Sequence, residues 1–201
     1  PDRQPALEGL SLEVAPGERV AVVGRTGAGK STLIQLLLGL YPAPPGTVFL
    51  DGLDINEWPR AGLRAALSSV PQDIFLFSDK LSENIAFGAL TPPSEGEVMA
   101  AAEASRLSAD LAAFPDGIAQ VVGERGITLS GGQKQRTAIA RALIRQPAVL
   151  LLDDALSSVD VHTERDILEN LGRWMQGLTC LVVTHRFSVV SPVDRIVVHD
   201  E

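Results

Sequence analysis

One stretch near the start of the chain constrains the fold more than any other. Val20, Ala21, Val22 and Val23 form an unbroken apolar run, followed at once by Gly24-Arg25-Thr26-Gly27-Ala28-Gly29-Lys30-Ser31-Thr32. Four apolar residues without alternation suit a strand buried on both faces. The glycines let successive backbone N–H groups turn towards one point without Cβ clashes. Residues 31–40 read as a helix stopped by Pro42, and its N-terminal end adds positive potential at the same point. Such a loop suits a polyphosphate: Lys30 would reach the β- and γ-phosphates and Ser31 a magnesium ion, with Thr32 beside it or at the α-phosphate.

Short apolar runs at 148–152, 181–183 and 196–198 also lack alternation and predict further strands buried on both faces. Strands are expected at 67–70 and 47–50 as well, and the alternation of Leu10, Leu12 and Val14 predicts a half-buried one at 10–14. From about 81 to 147 the pattern turns helical, with Ser94 and Glu97 spaced as a capping box. Pro115-Asp116-Gly117 reads as a turn. The expected fold is α/β: a parallel-sheet core from residues 1–77 and 147–201, an antiparallel β edge, and an inserted α-helical subdomain at 78–146.

Charge and composition exclude several functions. The 201 residues carry 17 Lys+Arg against 25 Asp+Glu, a net charge of −8, which argues against a nucleic-acid partner. The lone cysteine, Cys180, lies in an apolar run, so it reads as a buried, inert thiol. No apolar stretch approaches the length needed to cross a bilayer, and the polar, Pro-containing start does not resemble a secretory leader.

Two further segments carry chemistry. The run at 148–152 ends in Asp153-Asp154, and ligands of open α/β sheets gather beyond the carboxyl ends of strands. Asp153 is placed for magnesium, and Asp154 for orienting or deprotonating the attacking water. Leu129-Ser130-Gly131-Gly132-Gln133 opens a helix expected at 134–145. Ser130 and Gln133 are spaced as a capping box, yet two glycines in a first turn weaken a helix. They make sense where the backbone must approach an anion closely. A second phosphate-seeking helix start suggests a head-to-tail dimer, each chain closing the other's nucleotide.

Residues 129–133 together resemble the signature of ABC ATPase domains, and the rest of the chain follows that family's order. Gln72, in Val70-Pro71-Gln72-Asp73, resembles the Q-loop, which senses magnesium and couples to transmembrane domains. Ser157-Ser158-Val159-Asp160 resembles the D-loop, placing Asp160 at the dimer interface. His185 matches the switch histidine at the γ-phosphate. The resemblance implies a P-loop NTPase (RecA-like) core, ATP and Mg²⁺ as cofactors, and a second ABC ATPase domain as partner. Val122-Gly123-Glu124-Arg125-Gly126 looks like the X-loop of exporters. Ile74-Phe75-Leu76-Phe77 with Glu83-Asn84-Ile85 resembles the segment that docks their coupling helices. Residues 72–84, from Gln72 to include Asn84, and Glu124 are therefore expected to meet transmembrane domains at the cytoplasmic face of a cell membrane.

The family usually carries glutamate where this chain has Asp154. Aspartate is one methylene shorter, which leaves its carboxylate about 1.5 Å from the glutamate position. A degenerate site that binds ATP and hydrolyses it slowly is expected, as in one half of a heterodimeric exporter; an ATP-dependent dimerisation clamp is the alternative. A soluble ABC ATPase acting on DNA or ribosomes fits the charge and the Glu124 segment less well. No aromatic residue precedes Tyr41, although exporters usually stack one on adenine. The chain is thus expected to be cut from a longer polypeptide with transmembrane helices encoded before it.

Overall fold

A computed structural model describes residues 7–126, 128–155, 163, 166–167, 169–170, 177–185 and 193–199. Its centre is a five-stranded sheet in the order β4-β5-β6-β1-β7, with every pairing parallel. The strands are β1 (Arg19–Val23), β4 (Leu67–Val70), β5 (Val149–Asp153), β6 (Thr179–Thr184) and β7 (Arg195–Val198). Each lies within a residue or two of its expected place. A small antiparallel pair, β2 (Phe49–Leu50) and β3 (Leu53–Asp54), forms a separate hairpin. Its turn is Asp51-Gly52, both with positive φ (52° and 78°), the hairpin geometry this dipeptide favours. That dipeptide was the available signal for β3, which the sequence reading did not include.

The continuous apolar runs of β1, β5 and β6 follow from helices covering both faces of the sheet. β7, at the end of the strand order, leaves Ile196 and Val198 52% and 64% exposed and is not the doubly buried strand expected at 196–198. Val20 and Val22 pack with Ile34 of α1 (Lys30–Leu37), Leu151, Leu181 and Val183 on one face. Ala21 and Val23 pack with Ala138, Ile139, Ala142 and Leu143 of α6 (Gly131–Leu143) on the other. Val20 and Ala21 are fully buried, so both sides of the strand lose water. Leu12 and Val14 pack on the α1 face, but among the described residues 10–14 form no strand. Their alternation therefore reports a half-buried extended segment and not a ladder.

The helical stretch comprises α3 (Leu81–Ala86), α4 (Glu95–Ala104), α5 (Ser108–Leu111) and α6, and α2 (Arg60–Ala66) precedes β4. Ser94 caps α4 in the expected reciprocal box with Glu97. Ile85, Val98, Ala101, Ala102, Leu107 and Ala140 make an apolar cluster of their own. α6 joins it to the sheet, because Ile139 faces the sheet cluster and Ala140 the helical one. α6 also begins three residues earlier than the expected 134–145, since Ser130 is its N-cap and both glycines lie inside the first turn.

Candidate functional site: one edge of the parallel sheet

Parallel pairing puts four consecutive strand ends at one edge. β1 ends at Val23 before Gly24, β4 at Val70 before Gln72, β5 at Asp153 before Asp154, and β6 at Thr184 before His185. The register Val70↔Leu152 and Asp153↔Val183 aligns these ends, so residues distant in sequence share one crevice.

Within the phosphate loop, Gly27 and Gly29 take positive φ (96° and 79°), which a side chain would strain. Gly24 is required by crowding, because a Cβ there would fall 2.2 Å from the His199 carbonyl oxygen. Lys30 is only 7% exposed, and its ammonium donates to the carbonyls of Gly24 (2.9 Å) and Arg25 (2.7 Å). Its charge is thus held inside the loop by two neutral acceptors. α1 starts with no side-chain cap and no acidic residue in its first turn. The loop therefore offers backbone donors, a helix N-terminus and one buried cation, a set that fits a phosphate chain.

Ser31 Oγ donates to Asp153 Oδ1 at 3.0 Å. Asp153 is 8% exposed, and burial raises its pKa above the ordinary carboxylate range; the Asp154 charge adds to this, while the Ser31 bond and Lys30 oppose it. A hydroxyl and a buried carboxylate side by side are hard oxygen ligands, and they fit a divalent cation such as Mg²⁺.

Asp154 adopts the left-handed region (φ 44°), which Asp tolerates better than most residues, and its N–H donates to the Val183 carbonyl at 2.9 Å. Its carboxylate meets His185 Nδ1 at 3.0 and 2.9 Å, and the His185 N–H lies 3.3 Å from Oδ1. The Asp154 side chain is 12% exposed and that of His185 47%. Gln72 is exposed. The edge therefore gathers Lys30, Ser31 and Asp153 in one group and Asp154 with His185 in another. Asp160, with Ser157, Ser158 and Val159, lies outside the described residues.

The signature segment starts α6. Leu129 is buried with Leu76, Leu81 and Val122, anchoring the segment from behind. Ser130 is exposed, and its Oγ accepts from the Gln133 N–H at 3.2 Å. Sequence reasoning missed what holds the neighbouring surface. Asn84 is fully buried; its amide donates to the carbonyls of Phe77 (3.0 Å) and Lys80 (3.1 Å) and accepts from Phe77 N–H (2.9 Å). Arg141 of α6 donates to the carbonyls of Asn84 and Phe75, each at 2.8 Å. Phe75, Phe77 and Phe87 cluster outside this lock, 53%, 38% and 66% exposed. A groove of about 300 Å³ opens beside them, lined by Leu63, Arg64, Phe87, Gly88, Arg141 and Arg145 among others. Glu124 opens a single 3-10 turn, and the bridge between Lys80 and Val121 ties that loop to the segment around Asn84.

The profile of the family described as "ABC transporter" matches residues 7–157, most of the chain. This chain belongs to the ABC transporter family. It is 42% identical over 199 residues to an ATP-dependent lipid A-core flippase of Methylobacillus flagellatus, covering 99% of this chain and 34% of that protein. An ATM1-type heavy metal exporter of Novosphingobium aromaticivorans is 46% identical over 195 residues, 97% of this chain and 32% of its own length. A solved bacterial Atm1-family ABC exporter with ATP bound superposes with a TM-score of 0.92 at 46% identity, over 97% of this chain and 34% of that one. The chain thus spans about a third of the length of these relatives. It is their ATPase part, with the expected α/β fold. No helix of the described residues is long and apolar enough to cross a membrane.

Proposed function

We propose that this chain is the ATP-binding and hydrolysing motor of an exporter, working at the cytoplasmic face of a membrane. The observation that carries this reading is the convergence of Lys30, Ser31 and Asp153 at the carboxyl ends of β1 and β5. The loop from Gly24 to Thr32 binds the triphosphate, with Lys30 leaving its carbonyl partners for the phosphates. Ser31, Asp153 and Gln72 hold Mg²⁺, which when bound neutralises charge on the β- and γ-phosphates. Leu129, Ser130, Gly131, Gly132 and Gln133 close the nucleotide of a second ATPase domain, with Asp160 at that interface. The core (1–77 and 147–201) and the helical subdomain (78–146) thus face different nucleotides. Transmembrane domains dock on the aromatic cluster and groove next to Asn84, and on Glu124. The exposed Phe75, Phe77 and Phe87 support this contact, because an apolar patch beside a groove suits a partner.

Asp154 makes the chain's own site slow, and its intact signature completes a faster site on a partner that carries glutamate, giving a heterodimer. The pairing of the Asp154 carboxylate with His185 supports this, since both oxygens already lie against the imidazole. Single-turnover ATP hydrolysis in the assembled protein tests it. Asp154→Glu is expected to raise the rate at this site by about tenfold or more, given that displacements near 1 Å cost up to about a hundredfold. Equal, brisk rates would sink the degenerate-site reading. Loss of ATP binding in Lys30→Ala is expected in either case, and retained binding would sink the phosphate-loop assignment itself.

A further inference from the structure

Two helices of this chain open with the same reciprocal cap, and they use the serine hydroxyl differently. In α4 the Glu97 carboxylate takes both the Ser94 N–H and the Ser94 hydroxyl, each at 2.7 Å through Oε2, so that hydroxyl is spent inside the cap. In α6 the Gln133 Oε1 takes the Ser130 N–H at 3.0 Å. The other edge of the same amide, Nε2, points at Asp110 Oδ1 of α5, 3.4 Å away. Asp110 is fixed in turn by Arg136, whose Nε and Nη2 donate to it at 2.8 and 2.9 Å. Both side chains are mostly buried, 19% and 11% exposed.

An ionised carboxylate only accepts, so Asp110 can face only the NH₂ edge of Gln133. The Ser130 N–H already requires the amide oxygen; the pull of Asp110 on Nε2 holds that oxygen on the N–H and, unlike Glu97 Oε2 in α4, off the serine hydroxyl. Ser130 is exposed; its Oγ accepts from the Gln133 N–H, and among the described residues nothing takes its own hydrogen. We propose that Asp110 is a positioning residue of the signature: through Gln133 it keeps the Ser130 hydroxyl available to donate to a phosphate oxygen held by the facing ATPase domain. This rests on the reading that residues 129–133 serve a partner's nucleotide.

The test compares Asp110→Ala, Arg136→Met and Ser130→Ala in the intact protein, by kcat and KM for ATP and by thermal melting. Asp110→Ala and Arg136→Met break the same ion pair, but only the first removes the acceptor from Gln133. Asp110→Ala is expected to lower kcat about tenfold, the scale of one hydrogen bond, and to approach Ser130→Ala with KM little changed. Arg136→Met is expected to stay within about twofold of wild type at a similar melting loss. Equal kcat losses in those two variants would reduce Asp110 to a structural role and overturn the proposal. So would wild-type kcat in Asp110→Ala while Ser130→Ala is impaired, which leaves the signature reading standing. An unimpaired Ser130→Ala would instead overturn that reading. Gln133→Glu, which builds into α6 the box of α4, gives an independent check should Asp110→Ala not fold. It is expected to keep the cap and lose turnover, and unchanged turnover would overturn the proposal.

Discussion

Asp153 carries the sharpest conflict at the scale of single residues. Burial, with the Asp154 charge adding, holds its pKa above the usual value, so the folded chain binds that proton more tightly than the unfolded one. Its favourable contribution to stability is therefore complete below the unfolded pKa of about 3.9 and is lost as pH rises through the folded value. Above that folded value the ionised group destabilises the nucleotide-free fold. Asp153→Asn is expected to raise the melting temperature at pH 7 without ligand and to abolish the extra stabilisation by Mg²⁺ and ATP. A variant that melts lower at pH 7, or keeps the Mg²⁺-dependent shift, would contradict this account. Gly24 is constrained sterically: Gly24→Ala drives a methyl into the His199 carbonyl and should cost about 1–3 kcal/mol in denaturant unfolding. The phosphate- and magnesium-binding roles proposed for Lys30 and Ser31 were readable because a spacing rule carries them. The role of Asp110 was not, since it lies 26 residues from Arg136 and nothing in the intervening pattern links them.

Among the elements, α4 and α6 form a natural control pair. Each begins with a serine cap whose loss costs a helix about 1 kcal/mol. Ser94→Ala and Ser130→Ala should lose similar stability in urea titrations, whereas only Ser130→Ala should lose ATP turnover. Matching losses of turnover would mean that the α6 serine acts through the helix alone. β1, β5 and β6 were legible because a strand covered on both faces must be apolar, and their central residues are; β4 carries Ser68 and Ser69, and β7 is largely exposed. The 10–14 segment misled for a physical reason: one buried face needs alternation whether or not a neighbouring strand supplies hydrogen bonds. The strand β3 and the 3-10 turn at Glu124–Gly126 are too short to generate a period, whereas β2 was expected within 47–50.

For the whole molecule, the sheet's burial has a reporter in Cys180. It is about 1% exposed in β6, and burial pushes its thiol up to about 12. Thiolate is then scarce at neutral pH, and the sulfur reacts only when the sheet opens. Maleimide labelling at pH 7 is expected to proceed at the rate of global unfolding and to slow when ATP and Mg²⁺ bind. Labelling faster than unfolding measured by circular dichroism would mean that β6 opens locally.

The sequence by itself determined the local chemistry: a glycine-rich turn between strand and helix that suits phosphate, a carboxylate pair after a buried strand, and a capped helix start rich in glycine. Each depends on residues within one turn or one strand, where backbone geometry follows from neighbouring side chains. Only the tertiary structure decided which of these meet. Strand order placed Ser31 against Asp153 across 122 residues and Asp154 against His185 across 31. It also built the Asn84–Arg141 lock and the Asp110–Gln133 contact from residues that no periodicity connects. Such pairings depend on how helices and strands pack against one another, and that packing minimises exposed apolar area over the whole chain at once.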